Sequence, residues 1–270
     1  MSTSRFGLVI VGDEILSGKR EDKHLARVIE LLKVRGLRLD WAHYAADDRE
    51  ALVALYRRTF ADSDVVFSCG GIGSTPDDHT RQAAAAALGV PLVLHPEAER
   101  LITERCAQMA REGRGTADMT TPENRQRLTM GDFPRGADII PNPFNRIPGF
   151  SIHGHWFVPG FPVMAWPMLE WVLDTHYRAV FGSGVVAERS LIVFETAESA
   201  LVPLMQAVEA RFAPIKAYSL PSVGDGRDGR IARRHIELGV KGPAEAVDAA
   251  YRVLREGVVA LGAEIVESAT

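Results

Sequence analysis

The sequence predicts an α/β protein in which a mostly parallel sheet with helices on both faces precedes a small α+β domain. Two observations lead to this prediction. Short apolar runs alternate with helical stripes through residue 181, and a Gly-Ser-Gly break follows at 182–184. Beyond the break the order becomes strand-helix-strand-strand-helix-strand, which is typical of a ferredoxin-like domain. We therefore expect two domains, residues 1–182 and 183–270.

Strands and helices alternate along the first domain. Apolar or alternating runs predict strands at residues 6–11, 37–44 and 64–68. Apolar residues at helical spacing predict a helix at 25–32, which Gly36 ends. They predict another at 52–60, which Asp47 and Glu50 open as a capping box.

The rest of the chain continues this pattern. Helices are predicted at 96–113 and 163–181, and a tight hairpin at 152–156 lies between them. In the second domain, the predicted elements are strands at 191–194, 216–222, 235–240 and 263–267 and helices at 200–212 and 243–261.

Composition limits the functional classes. With 46% hydrophobic and 24% charged residues, the 270-residue chain is an ordinary globular sequence. The net charge of -4 gives no reason to expect a nucleic-acid partner, and no apolar run is long enough to span a membrane. Cys69 and Cys106 form no spacing motif, so we expect no disulfide scaffold. The N-terminus lacks the layout of a signal peptide, and we expect a cytoplasmic protein.

One glycine-rich loop, CGGIGSTPDDHT at residues 69–80, follows a predicted strand and precedes a predicted helix. Backbone N–H groups around Gly70, Gly71 and Gly73 can form an anion cradle there. Adjacent carboxylates would suit a divalent metal that neutralises bound phosphate. The alternative is a plain strand-to-helix turn in which Asp77 or Asp78 caps the helix.

Three other segments offer polar or rigid groups that could contribute to a site. GDEILSG at 12–18 adds Asp13 and Glu14, although a solvated turn would also explain it. FVPGFP at 157–162 also has a purely structural alternative, a rigid turn. TPENRQR at 121–127 offers polar side chains, and its structural alternative is a helix N-terminus. A Gly-x-x-Gly at 226–229 matches the RNA-binding loop of KH domains, but its position between two strands favours a hairpin.

These motifs, in this order, resemble the molybdopterin-binding fold shared by molybdenum-cofactor biosynthesis proteins of the MoaB and Mog type and by the N-terminal domain of CinA, the competence/damage-inducible protein A. The resemblance covers roughly residues 5–180. The loops at 122–125, 142–143, 148–150 and 159–162 follow in the CinA order, which makes CinA the closer match. The second domain corresponds to a small α+β module of CinA proteins. We expect no counterpart of their C-terminal amidase domain, and therefore no deamidase activity.

The resemblance implies a three-layer fold that binds a phosphate-bearing nucleotide or a pterin such as molybdopterin. For CinA-type domains it implies metal-dependent hydrolysis of a nucleotide diphosphate such as ADP-ribose, with magnesium, manganese or cobalt. Asp13, Glu14 and Asp78 would be catalytic, and Asp13 and Asp78 would hold the metal. The implied ligand-binding residues are Gly12, Gly70, Gly71, Gly73, Ser74, Thr75, Thr80, Glu123, Asn124, Pro159, Gly160 and Pro162. A homo-oligomer is also implied.

The chain departs from the CinA pattern at three places near the expected pocket. Asp22-Lys23-His24 replaces the usual Asp-Thr-Asn, Asn145-Arg146 replaces Gly-Thr, and Met164 replaces an acidic residue. Two other classes of function therefore stay open. One is a protein that binds molybdopterin or a nucleotide without turnover, and the other is an RNA-associated or interaction protein that acts through its second domain.

Overall fold

The computed structural model describes residues 5–184, 187–224 and 232–267, so the Gly-x-x-Gly at 226–229 lies outside the described residues. The chain divides into two compact units, Met1–Gly184 and Val185–Thr270. The elements of the first unit are β1 (Phe6–Val11), α1 (Asp13–Leu16), α2 (His24–Lys33), β2 (Trp41–Ala45), α3 (Arg49–Phe60), β3 (Val65–Cys69), α4 (Thr80–Leu88), β4 (Leu92–Leu94), α5 (Pro96–Arg111), α6 (Pro122–Leu128), β5 (Asp132–Pro134), β6 (Asp138–Ile140), β7 (Gly149–Ile152), β8 (His155–Val158) and α7 (Pro162–His176).

A six-stranded sheet in the order β2-β1-β3-β8-β7-β6 organises the first unit. β2, β1, β3 and β8 are parallel, while β7 and β6 are antiparallel additions at one edge. Along β1, Leu8 and Ile10 pack into a core with α2 and α7, whereas Val9 and Val11 pack into a second core with α3 and α4. The predicted three-layer α/β fold with a mostly parallel sheet is confirmed.

The second strand begins later than the sequence pattern predicts. β2 starts at Trp41, not at residue 37. The backbone N–H of Leu37 donates to the carbonyl of Leu32 and so closes α2, and Leu37 itself is buried in the core. Leu37, which the alternating pattern predicts as the start of a strand, therefore belongs to the end of the helix.

The cap of α3 also differs from the prediction. Asp48, not Asp47, is the N-cap, and its carboxylate accepts a hydrogen bond from the backbone N–H of Ala51 at 2.7 Å. The predicted capping box was therefore assigned one residue too early. Asp47 is left available for contacts elsewhere.

The second unit has the ferredoxin-like arrangement that the element order predicts. Its elements are β9 (Ala187–Phe194), α8 (Glu198–Arg211), β10 (Lys216–Ser222), β11 (His235–Gly242), α9 (Ala244–Ala260) and β12 (Ile265–Glu267). The antiparallel sheet has the order β10-β11-β9-β12. Its two central strands, β9 and β11, are the first and third strands of this unit along the chain. Leu191, Leu238 and Leu254 belong to its separate apolar core. Across the described parts of both units, no helix is long and apolar enough to cross a membrane.

Candidate functional site

The loops that follow β1, β3 and β8 meet at the carboxyl ends of these parallel strands, where open α/β sheets bind ligands. The N–H of Gly70 donates to the carbonyl of Val158 at 3.0 Å, which joins the β3 loop to the β8 loop. Gly160 lies so close that a Cβ atom there would be 3.4 Å from the Cα of Gly70. Together the loops line a cavity of about 420 Å³. This volume is within the range of small-molecule sites.

Two glycines of the β3 loop are required by packing. Gly70 has a φ of 108°, and a Cβ atom there would lie 2.2 Å from the carbonyl oxygen of Val11. Gly71 has a φ of 68°, and its Cβ would lie 2.2 Å from the hydroxyl of Thr80. The loop backbone can therefore lie directly against β1 and the start of α4, and it remains exposed to the cavity on its other side.

Asp78 closes this loop internally. Its Oδ2 accepts hydrogen bonds from the backbone N–H of Thr75 at 2.8 Å and from the Thr75 hydroxyl at 2.5 Å. The N-cap residue of α4 is His79, so neither Asp77 nor Asp78 has the capping role of the alternative reading. The Thr80 hydroxyl is buried and donates to the carbonyl of Gly70 at 3.0 Å. Thr80 thus stabilises the loop through this buried hydrogen bond.

Two further side chains that the sequence patterns did not single out donate hydrogen bonds to the loop. Arg81 is buried, and its guanidinium donates to the carbonyls of Gly73 and Thr129. Burial lowers the pKa of Arg81, although Asp132 and Asp78 oppose this shift. Gln126 of α6 donates from Nε2 to the carbonyl of Ser74 at 2.6 Å. The only sequence signal for Arg81 is a charged residue beside an alanine-rich helix stripe.

The acidic side of the cavity includes Asp47, for which the sequence pattern predicts a place in a helix cap. The backbone N–H of Asp13 donates to Asp47 Oδ2 at 2.8 Å, and the N–H of Asp47 donates to Asp13 Oδ1 at 3.3 Å. Burial raises the pKa of Asp47, and the charges of Asp13, Glu14 and Asp77 raise it further, while the hydrogen bond from Asp13 opposes the rise. Negative charge is therefore concentrated beside the glycine loop.

The structure brings most of the predicted site residues together. Those that line the cavity are Gly12, Glu14, Gly70, Gly71, Gly73, Ser74, Thr75, Asp78, Pro159 and Gly160. Pro162 lines an adjoining cavity of about 390 Å³, which also includes His24. Asp13 is exposed and reaches the site through Asp47.

The predicted residues of α6 lie elsewhere. Asn124 is buried, and its amide donates to the carbonyls of Thr116 and Asp118. Glu123 is exposed in the first turn of the helix. Met130, beyond the end of α6, lines the cavity.

The donor set suits a divalent cation only in part. Within residues 5–184, 187–224 and 232–267, no three or more His, Cys, Asp or Glu side chains are arranged to hold a metal ion. Four carboxylates nevertheless line the cavity, those of Glu14, Asp47, Asp77 and Asp78. Magnesium is commonly held by one or two carboxylates together with substrate phosphates. The residues fit that arrangement and not a complete cage of protein ligands.

The fold and this cavity define an α/β protein with a ligand-sized site at the carboxyl ends of parallel strands. The chain belongs to the molybdopterin-binding domain family, since residues 7–178 match the family model described as "Probable molybdopterin binding domain". It is CinA-like: a CinA-like protein of Anaeromyxobacter dehalogenans (strain 2CP-C) is 33% identical over 266 residues, which are 95% of this chain and 59% of that protein. The predicted family resemblance is confirmed.

Two other similarities extend the comparison. A protein of Pyrobaculum calidifontis is 29% identical over 256 residues, 92% of this chain and 94% of its own length. The crystal structure of CinA from Thermoplasma acidophilum, a protein described as of unknown function, superposes with a TM-score of 0.53 and 26% identity. That similarity covers 63% of this chain and 98% of the other. The chain spans about half the length of the CinA-like relatives it matches.

Proposed function

We propose that the first unit binds a phosphate-bearing nucleotide and hydrolyses its diphosphate with a divalent metal, as an ADP-ribose-type pyrophosphatase. One observation supports this most directly. The glycine loop at 70–78 and four carboxylates line the same cavity, at the carboxyl ends of parallel strands. The loop provides backbone donors for phosphate, and the carboxylates provide oxygen ligands for a cation that neutralises it.

The phosphate would lie along the loop that leads into α4. Backbone N–H groups at a helix start attract anions, and the loop here is closed by Asp78 and Thr75 so that it is ordered before binding. Arg20 also lines the cavity and supplies a positive charge. Phosphoryl transfer needs mainly positioning and charge neutralisation, which these groups can supply.

Asp78 and Glu14 would contribute metal ligands, with Asp13 acting through its hydrogen bonds to Asp47. A bound divalent ion would neutralise phosphate charge and acidify a coordinated water. Asp47 has a raised pKa because of burial and its acidic neighbours, and it is our candidate for accepting the proton of the attacking water.

A second candidate function is binding of a nucleotide or molybdopterin without turnover. The observation in its favour is that Thr75 donates twice to Asp78 Oδ2, which occupies one of the oxygens a metal would use. Assembly into a homo-oligomer and a cytoplasmic location stay predictions.

The test is AMP release from ADP-ribose by the purified protein, with magnesium, manganese and cobalt in turn. Asp78→Asn keeps a side-chain oxygen for the N–H of Thr75, so we expect a folded variant whose kcat falls at least about 100-fold. The exposed Asp62 provides a matched control, because Asp62→Asn should leave kcat unchanged. Unchanged turnover in Asp78→Asn would remove this residue from the mechanism. Tight ADP-ribose binding without product under every metal would favour the second function.

A further inference from the structure

Part of the cavity lining is apolar, and we call this part the apolar wall. Met130, Ile147, Phe161 and Met164 line this wall and come from three separate segments of the first unit. Phe161 is 54% exposed although it is aromatic. Such a surface would stabilise a flat, weakly hydrated group, whereas a phosphate placed against it would lose solvation without gaining a partner.

Asn145 lies within this wall with its amide orientation fixed. Its Oδ1 accepts hydrogen bonds from Asn142 Nδ2 and from the backbone N–H of Ile147, both at 2.9 Å. The other amide atom must therefore be the nitrogen, which points a donor at the sulfur of Met164, 3.2 Å away. A thioether is a weak acceptor, so this donor would gain from a stronger one.

We propose that this wall binds the heteroaromatic base of the diphosphate ligand, and that Asn145 Nδ2 donates to an acceptor nitrogen or oxygen of the ring. The proposal rests on the proposed function, because it places the base next to a diphosphate held by the glycine loop. Methionine sulfur packs favourably against aromatic rings, and Met130 and Met164 are both available in the wall. Asn145 and Met164 are then residues that determine specificity.

The experiment compares two probes that cannot be hydrolysed at the bridge, α,β-methylene-ADP and methylenediphosphonate. They share the diphosphate mimic and differ in the nucleoside. Calorimetric titration of the wild-type protein should show that the nucleotide binds at least about tenfold more tightly. Equal affinities would overturn the base-binding wall alone, whereas binding of neither probe would overturn the proposed function as well.

Two variants test the individual contacts. Asn145→Asp keeps the accepting oxygen and removes the donor, so we expect about tenfold weaker nucleotide binding and unchanged methylenediphosphonate binding. Met164→Ala shortens the wall and should weaken the nucleotide about fivefold, again without effect on the diphosphonate. Val163→Ala is the control, since Val163 is the exposed neighbour outside the cavity lining.

The selectivity between the probes decides the outcome. A lost contact to the ring must weaken the nucleotide more than the diphosphonate. If Asn145→Asp weakened both probes equally, repulsion of the shared diphosphate by the new charge would explain the result, and the ring contact would be disproved. If Met164→Ala left nucleotide binding unchanged, the wall would not hold the base.

Discussion

At the scale of single residues, adjacent side chains of the same chemistry have different roles. Asp48 caps α3, while Asp47 turns to Asp13 and contributes to the acidic side of the cavity. The local sequence allows either aspartate to begin the helix, because both precede the same apolar stripe. The distinction depends on Asp13, which is far away in the chain and reaches Asp47 only because β1 and β2 are neighbours in the sheet.

His155 shows how burial decides between two readings of a motif. The spacing of His153 and His155 could suit a metal, but His155 is fully buried, with Nε2 2.8 Å from the Thr59 hydroxyl and Nδ1 3.1 Å from the carbonyl of His153. Burial lowers the pKa of His155 from 6.5 to about 4. The residue is therefore part of the packed hairpin and of the core beneath it.

The lowered pKa predicts a pH dependence of stability. Below about pH 6.5 the unfolded chain protonates His155 while the folded protein does not, so stability is lost as pH falls toward about 4. At about pH 5 the loss should be on the order of 2 kcal/mol relative to pH 7. Urea unfolding at both pH values measures it, and His155→Gln should remove this part of the difference. His176 is exposed, so the control variant His176→Gln should keep the pH dependence of the wild-type protein. If His155→Gln lost as much stability between pH 7 and pH 5 as the wild-type protein, the prediction would be wrong.

At the scale of elements, the connection from β3 to α4 is the most constrained part of the site. Its backbone contacts β1 through Gly70 and the first residue of α4 through Gly71. Arg81 and Gln126 donate hydrogen bonds to its carbonyls. The sequence pattern predicted this loop between a strand and a helix, but two of the residues that hold it, Val11 and Gln126, come from segments that are distant in the chain.

Gly70→Ala should therefore destabilise the protein more than a turn glycine would. Both Gly70 and Gly18 have positive φ, but a Cβ on Gly70 would clash with the carbonyl of Val11, whereas a Cβ on Gly18 would meet nothing within 4 Å. We expect a loss of about 3 kcal/mol for Gly70→Ala and about 1 kcal/mol for Gly18→Ala in the free energy of unfolding. Urea unfolding followed by tryptophan fluorescence provides the comparison. Equal losses would show that the loop can move away from β1.

Most strands and helices were predictable, and one pair of short strands was not. The limits of β1 and β10 agree with the sequence pattern, and α5 differs only at its end. The small sheet of β4 and β5 was missed because these two strands, of three residues each, show no readable period. Its two strands also pair across a long stretch of chain that includes α5 and α6. Such pairing depends on tertiary contacts.

At the scale of the whole molecule, the two units have cores without a shared residue among the described parts of the chain. All four tryptophans, at 41, 156, 166 and 171, belong to the first unit. Tryptophan fluorescence therefore reports unfolding of the first unit, while circular dichroism reports both. This difference allows the stability of each unit to be measured in the intact chain.

Leu254→Ala should act on the second unit alone. Leu254 is fully buried in that unit's core, and its truncation should cost about 2–5 kcal/mol. We expect a lower midpoint for part of the circular dichroism transition and an unchanged midpoint by fluorescence. A matching shift in fluorescence would show that the two units unfold as one.

The sequence by itself determined the α/β class, the ferredoxin-like order of the second unit, and the placement of the glycine loop and the GDE loop at strand ends. These features follow from local periodicity, glycine positions and the rule that parallel strands share a carboxyl edge. Only the tertiary structure decided that Asp47 joins the acidic side, that Thr80 and Asn124 are buried, and that apolar side chains line the same cavity as the glycine loop. Those outcomes depend on which distant segments the sheet order brings together, and local sequence patterns do not encode that order.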